Sequence, residues 1–289
     1  MAGILTAHMP VMRVEDEVHG VSGFASMNEG WGRTLRFGAN DSDVINRLNW
    51  MQDVLAPVLN AAIEKRGGIN VKNLIARALH MGDECHNRDI AASALFYKEI
   101  TPAINAVCQN DADLDAVLDF LSQHEHFFLN ICMAACKASL LAAHNIPYST
   151  MITAMARNGV EVGLLMSGSG MNWFTGPAAV PEGLYFPGFS EQDAGSDLGD
   201  SAITETAGLG AFAMAGAPAI VRFVGGTPSN AIHYTQQMAK ITLGHHPQFT
   251  IPTMDFQGTP AGIDARLVIE SGILPVINTC IAHQEPGYG

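Results

Sequence analysis

Between residues 41 and 146 the apolar side chains recur at helical spacing, and beyond Ile146 and Pro147 that spacing dissolves into glycine- and proline-rich text. A period of 3.6 residues that stops partway along a chain rules out a single repeating architecture. The predicted class is therefore α+β. Short strands are expected in a strand-rich segment over 1–40, an all-helical domain over 41–146, and a mixed α/β domain over 147–289. In the helical part Val44, Ile45, Leu48, Met51, Leu55, Val58, Leu59, Ala62 and Ile63 share one face. Asp41 or Ser42 would cap that element, Gly67 and Gly68 would stop it, and Pro57 should kink it. Further helices are expected at 70–81, 87–108 and 111–122, and at 126–143, where the text is apolar nearly all round and suits a central helix. Strands are expected at 3–5, 10–14, 18–24 and 34–37. Past residue 146, strands are expected at 160–167, 183–186, 220–224 and 274–278, with helices at 200–215, 229–243 and 259–271. No internal repeat or low-complexity tract occurs.

Composition narrows the partners. The 289 residues suffice for a sizeable core without disulfides or metal. A net charge of −13 argues against nucleic acid or an anionic membrane surface. Charged residues make up 15% of the chain and hydrophobic ones 48%, too little polar material to coat it, so a homo- or hetero-oligomer is expected. The amino terminus has no basic n-region, and the apolar stretch at 206–221, broken by Pro218, is too short to span a bilayer and reads as a buried, closely packed helix. Five cysteines without a CxxC pair suit reduced thiols in a cytoplasmic protein.

The common nucleotide and hydrolase motifs are missing: no Gly–Lys dipeptide, no HExxH, no GxSxG. Residues 208–213 fit GxGxxA formally, but they lie inside an apolar run, where tight packing explains the glycines better. The junction MGDECHNRD (81–89) is more informative, because a bland helix connection rarely needs so many titratable types. Asp83 and Glu84 could orient His86, and Arg88 could clamp an anion. A solvated loop with Asn87 as cap is the other reading. Adjacent Cys85 and His86 make poor joint metal ligands. Arginine is scarce beyond residue 111, so Arg157 and Asn158, just before Gly159, become candidates for gripping a planar anion, against a plain surface arginine at a turn. Arg222, in an apolar run, must face solvent or find a partner. Residues 167–170 and 225–230 could cradle an anion or serve as an ordinary hairpin turn and helix cap. Glu191, Asp193, Asp197, Asp200 and Glu205 could hold Mg²⁺ or Ca²⁺ or form a solvated acidic loop. Glu205, set in apolar text, fits solvent least. His283 and Glu285 close the chain as an acid/base pair or a surface tail.

Eight runs, NEG (28–30), LRFGAND (35–41), ARALHMGDE (76–84), ARNG (156–159), LYFPG (184–188), GDSAI (199–203), DFQG (255–258) and AHQEPG (282–287), resemble the bacterial YlbE/YahG family. One of its members, AllG, is a subunit of oxamate carbamoyltransferase in allantoin catabolism. Beside that family the chain reads as the middle and end of a longer pattern. The resemblance implies exchange of a carbamoyl group between oxamate plus carbamoyl phosphate and oxalurate plus phosphate, alongside a FdrA-like subunit and a third partner. No cofactor is expected. Such chemistry needs cations on the phosphate, a donor on the carbonyl oxygen and a proton acceptor. Placement at turns nominates Arg36, Arg88 and Arg157 for anions, with Arg222 added from its apolar run, and Asn28, Asn40 and Asn158 as donors. Asp83 and Glu84 are nominated beside them, with His86, His283 and Glu205 for proton movement. The alternatives are a scaffold subunit without chemistry of its own, or a metal-assisted amidohydrolase using Asp200, Glu205 and histidines.

Overall fold

Asp41 turns its carboxylate onto the amides of Asp43 and Val44 at 3.0 and 3.3 Å, and helix α1 (Ser42–Trp50) starts there. The arrangement comes from a computed structural model that describes residues 5–288. Helix α1 runs through a π turn (Met51–Leu55) into α2 (Ala56–Arg66). Pro57 has no N–H to give to the preceding turn, and the wider turn lets the helix pass without breaking. Gly67 ends it in the left-handed region. Asn70 caps α3 (Val71–His80) and Asn110 caps α5 (Asp111–Gln123), with α4 (Ile90–Val107) between them. Helix α6 (Phe127–Ala142) is buried along most of its length and is the central helix of this half.

Strands β1 (Val11–Asp16) and β2 (Val21–Ser26) form an antiparallel hairpin packed on α6. A Cβ at Gly23 would fall 1.9 Å from the Ala134 carbonyl oxygen, so only glycine lets the strand lie this close to the helix. Beyond residue 146, β3 (Ile152–Asn158), β4 (Glu161–Met166), β5 (Trp173–Pro177) and the short β6 (Leu198–Gly199) form an antiparallel sheet in the order β5-β4-β3-β6. Then follow α7 (Ile203–Thr206), 3₁₀ turns at Gly210–Gly216 and Pro218–Ile220, α8 (Val221–Val224) and α9 (Pro228–Met238). A hairpin of β7 (Thr242–Ile251) and β8 (Gln257–Ile263) leads to α10 (Ala265–Ser271). Residues 272–282 carry no helix or sheet. Among the described residues no helix is long and apolar enough to cross a membrane.

The architecture is α+β, as the two periodicities predict. The largest core cluster joins α2, α3, α4 and α6 through Leu59, Leu74, Ile75, Leu79, Ile100 and Phe128. It also takes in Ala154, Leu165, Ile203 and Leu209 from beyond residue 146. Each such buried side chain contributes about 1.5–3 kcal/mol. A second cluster holds Ile152, Met155, Phe212, Met238, Ile241 and Ile263.

Several local expectations are corrected. Leu35–Phe37 is a 3₁₀ turn rather than a strand, and 220–224 is helical. No strand forms at 183–186 or 274–278. The helix expected at 200–215, and the one at 206–221, reduce to α7 and 3₁₀ turns, because Gly208 and Gly210 take positive φ and interrupt α-helical bonding. The helix expected at 229–243 ends at Met238, and the one at 259–271 is a strand in its first half. Strand β3 escapes a period-two reading because five of its seven residues, on both faces, are buried. The strand expected at 3–5 lies outside the described residues except for Leu5.

Candidate functional site

The junction between α3 and α4 folds around carboxylates. Glu84 accepts from the amides of His86, Asn87 and Arg88, at 2.9, 2.8 and 3.4 Å, and from the Asn278 side chain at 3.3 Å. That set holds Cys85 at φ +59, a conformation β-carbon residues rarely adopt. Asp83 takes the α4 amide of Ala92 at 2.8 Å. Burial pushes the Glu84 carboxyl up to about 7, against the pull of the His86 charge, and burial also raises Asp83. A hydrogen bond with Cys132 pulls the Cys85 thiol down, yet burial and the neighbouring acids carry it up to about 12.

The turn delivers His86 to Glu205 of α7. His86 Nδ1 lies 2.7 Å from Glu205 Oε1, and both side chains are buried, His86 at 2% exposure. Glu205 Oε1 also accepts from the amides of Ala211 and Asn278 at 3.0 and 3.1 Å, and Oε2 from the Thr204 hydroxyl. Burial depresses His86, but the charge and hydrogen bond of Glu205, with the charge of Glu84, outweigh it and hold the imidazole above its usual value. Glycine at 210 is what admits the carboxylate, for a Cβ there would sit 2.0 Å from Oε1.

His86 lines a cavity of about 340 Å³ together with Arg36, His126, Asn130, Asp200 and Cys280. Its Nδ1 is tied to Glu205, which leaves Nε2 as the atom it presents there. Arg36 donates to the Gly30 carbonyl at 2.8 Å and is depressed by burial; a guanidinium nonetheless stays charged. His126 sits 3.2 Å from Asp89 through Nδ1 and packs edge-on against Trp31. Cys280 opens onto the cavity, while surrounding groups desolvate its thiol and push it up.

Of the residues nominated from sequence, Arg36, His86 and Asp200 line this cavity, with Glu205 behind His86. Most of the others stand elsewhere. Arg157, 5% exposed, is taken up by a two-point pair with Asp197 (2.7 and 3.2 Å), the Gly199 carbonyl and Thr279. It fastens one cavity wall rather than facing a ligand. Asn158 caps the β3–β4 turn through the amides of Val160 and Glu161, and Asn28 bridges His126, Asn130 and Gly30. Arg88 donates to the Gly82 carbonyl, and Asp83 and Glu84 shape the turn. Asn40 and Arg222 are exposed and line no part of the cavity. His283 lies between Phe189 and Tyr288, with Nδ1 on the Glu285 amide. Asp193 serves a capping box with Ser190, and Asn87 leaves the cap position to Asp89. Residues 167–170 connect β4 to β5, and Thr227 caps α9 in a box with Asn230. Among the described residues no three His, Cys, Asp or Glu are placed to hold a metal ion.

Sequence reasoning assigned no role to Asp89, His126, Asn130, Asn278, Thr279 and Cys280. His126 and Asn130 are polar residues at the start of an apolar helix, a signal present in the text, and Asp89 closes the polar junction 81–89; the stretch 278–280 reads as featureless and is placed only by tertiary contacts.

The family model for the oxamate carbamoyltransferase subunit AllG matches residues 1–201. The chain is 48% identical over 289 residues to the uncharacterized protein YahG of Escherichia coli (strain K12), covering 100% of this chain and 61% of that protein. It is 46% identical over 291 residues to the oxamate carbamoyltransferase subunit AllG of the same organism, covering 100% of this chain and 70% of that protein. A crystal structure of a conserved protein of unknown function from Enterococcus faecalis V583 superposes with a TM-score of 0.97 at 47% identity, over 99% of this chain and 69% of that one.

Proposed function

The chain belongs to the family of the oxamate carbamoyltransferase subunit AllG, and on that footing we propose that it is a cytoplasmic subunit of a carbamoyl-transfer complex whose small planar anion binds in the Arg36–His86 cavity. One observation carries the reading: a buried guanidinium and a histidine backed by a carboxylate line the same cavity. In the reaction proposed, the amide nitrogen of oxamate attacks the carbonyl carbon of carbamoyl phosphate. A C–N bond forms, the C–O bond to phosphate breaks, and the amide proton passes by way of His86 Nε2 to the departing phosphate, giving oxalurate. An amide nitrogen is a poor nucleophile until that proton leaves, so a positioned base matters. Glu205 fixes the tautomer with Nδ1–H inward and stabilises the imidazolium that forms. Arg36 would meet the oxamate carboxylate. FdrA-like and further subunits would complete the assembly.

The test is oxalurate formation, and its phosphorolysis, by the chain assembled with its partner subunits. His86→Ala and Arg36→Ala should each lower kcat/KM by about a hundredfold or more; wild-type rates in both would overturn the assignment. A second reading keeps the anion here and places the chemistry on another chain. It is favoured by the cavity's charge: among the described residues Arg36 is the one Lys or Arg that lines it, beside Glu29 and Asp200, which offers little to a dianionic phosphate. Unchanged oxamate affinity with lost turnover when only the partner chain is altered would support it.

A further inference from the structure

His126 and His86 line the same cavity, and each rests its Nδ1 on a buried carboxyl group. The carboxyls behind them are not alike. Glu205 accepts from His86, two backbone amides and a hydroxyl, the surroundings of an ionised group. Asp89 is fully buried, its Oδ1 has no hydrogen-bond partner, and its Oδ2 meets only His126, at 3.2 Å. It stands at the start of α4, yet its carboxyl takes no amide of that helix; Asp83 takes the amide of Ala92 instead. The charged groups facing the Asp89–His126 pair are Asp83, Glu84, Glu125, His86 and Arg36. An anion so poorly solvated, beside two further buried carboxyls, is costly, and a carboxylic acid there costs far less. A protonated Asp89 can donate its O–H to His126 Nδ1, which lies 3.2 Å from Oδ2. The imidazole then carries its own proton on Nε2. Burial acts the same way on both partners, raising Asp89 well above the usual carboxylate range and driving His126 down to about 4, so that the ring stays neutral.

We propose that His126 presents Nε2–H to the cavity as a hydrogen-bond donor, held in that tautomer by a protonated Asp89, so that the cavity pairs a donor histidine with the acceptor histidine His86. Such a pair fits a ligand carrying an acceptor oxygen beside an N–H group, as an amide or carbamoyl group does. The donor would lie against the carbonyl oxygen as negative charge gathers there, while His86 takes the proton. Asp89 is a positioning residue that acts through His126. The inference rests on the cavity being the ligand site of the function proposed above.

The test reads the ring directly. In the full chain labelled with ¹⁵N-histidine, long-range ¹H–¹⁵N spectra near neutral pH, assigned with His126→Gln and His86→Gln, should show His126 as the neutral Nε2–H tautomer, with that proton shifting on addition of oxamate. Asp89→Asn should keep the tautomer, because a carboxamide N–H can still donate to Nδ1. An Nδ1–H tautomer, an imidazolium, or loss of the tautomer in Asp89→Asn overturns the proposal. In the assembled complex Asp89→Ala should lower kcat by about tenfold or more, and Asp89→Asn should recover most of that loss; equal loss in both also overturns it. A complex that turns over no oxamate, with spectra as expected, removes the proposed reaction and leaves the tautomer standing.

Discussion

Gly210 is the position where a single methyl group tests the site most directly. Its φ is +55°, and an added Cβ would lie 2.0 Å from Glu205 Oε1, 2.6 Å from the carboxyl carbon and 3.1 Å from His86 Nδ1. Oε1 is the atom that holds His86, Ala211 and Asn278 at 2.7, 3.0 and 3.1 Å. Gly210→Ala therefore pays twice. The left-handed backbone costs a non-glycine residue about 1–2 kcal/mol, and losing even one or two hydrogen bonds to a buried charged group costs about 3 kcal/mol more, for a total of about 4 kcal/mol. Gly20→Ala is the control, since its φ is +66° and nothing lies within 4 Å of the added carbon, so only the backbone cost applies. With a urea dependence of about 2 kcal/mol per M, the midpoint should fall by about 2 M in Gly210→Ala and by about 0.5–1 M in Gly20→Ala. Equal shifts in the two variants would mean that Glu205 moves aside at no cost, and the account of a carboxylate locked behind His86 would be wrong.

His126, held down to about 4 by burial against an ordinary 6.5, binds fewer protons folded than unfolded between those values. The stability this supplies is fully present above 6.5 and is lost as pH falls through about 4, a change of about 3 kcal/mol. Unfolding curves for wild type and His126→Gln should therefore diverge over that window, the variant losing less on acidification; parallel curves would refute it. Arg157→Met leaves Asp197 uncompensated in a largely buried place and should cost about 3–5 kcal/mol in chemical unfolding, whereas the exposed Arg222→Ala should stay within about 0.5 kcal/mol. Iodoacetamide should label Cys280 in the folded chain and spare Cys85, whose thiol sits at about 12, and oxamate should slow the Cys280 reaction in timed peptide mass spectra.

The helical half is legible because its signals are local. Asp41, Asn70 and Asn110 cap their own helices, Gly67 ends α2, and Pro57 distorts the turn just before it. Beyond residue 146 the signals are not local. The Gly208–Gly216 stretch is apolar enough for a helix, but two positive-φ glycines at 208 and 210 are needed to bring Glu205 to His86, and the same text scans equally well either way. Strand β7 carries Gly244 and Pro247 and pairs with β8 through a register shift, so its ten residues show no steady alternation.

The same division explains the candidate residues. Scarcity picks out arginines worth asking about, but it does not say which of them line a cavity. Arg157 lies near the end of β3 and Arg36 in the 3₁₀ turn Leu35–Phe37; Asp197, forty residues from Arg157, reaches it in two-point geometry, while Arg36 lines the cavity. Histidines divide along the same line. His86 stands in a run crowded with acids, yet its partner is Glu205, 119 residues away, and the nearer Glu84 turns its oxygens to backbone amides instead. What decides the chemistry of each ring is the number of hydrogen bonds its carboxyl partner already accepts. Glu205 accepts from four donors, whereas Asp89 has a hydrogen-bond contact with His126 alone and burial favours its neutral form. That count is a property of the folded backbone around each acid, set by glycine at 210 in one case and by the competing Asp83 in the other, and it is why two histidines on one cavity end with opposite polarity.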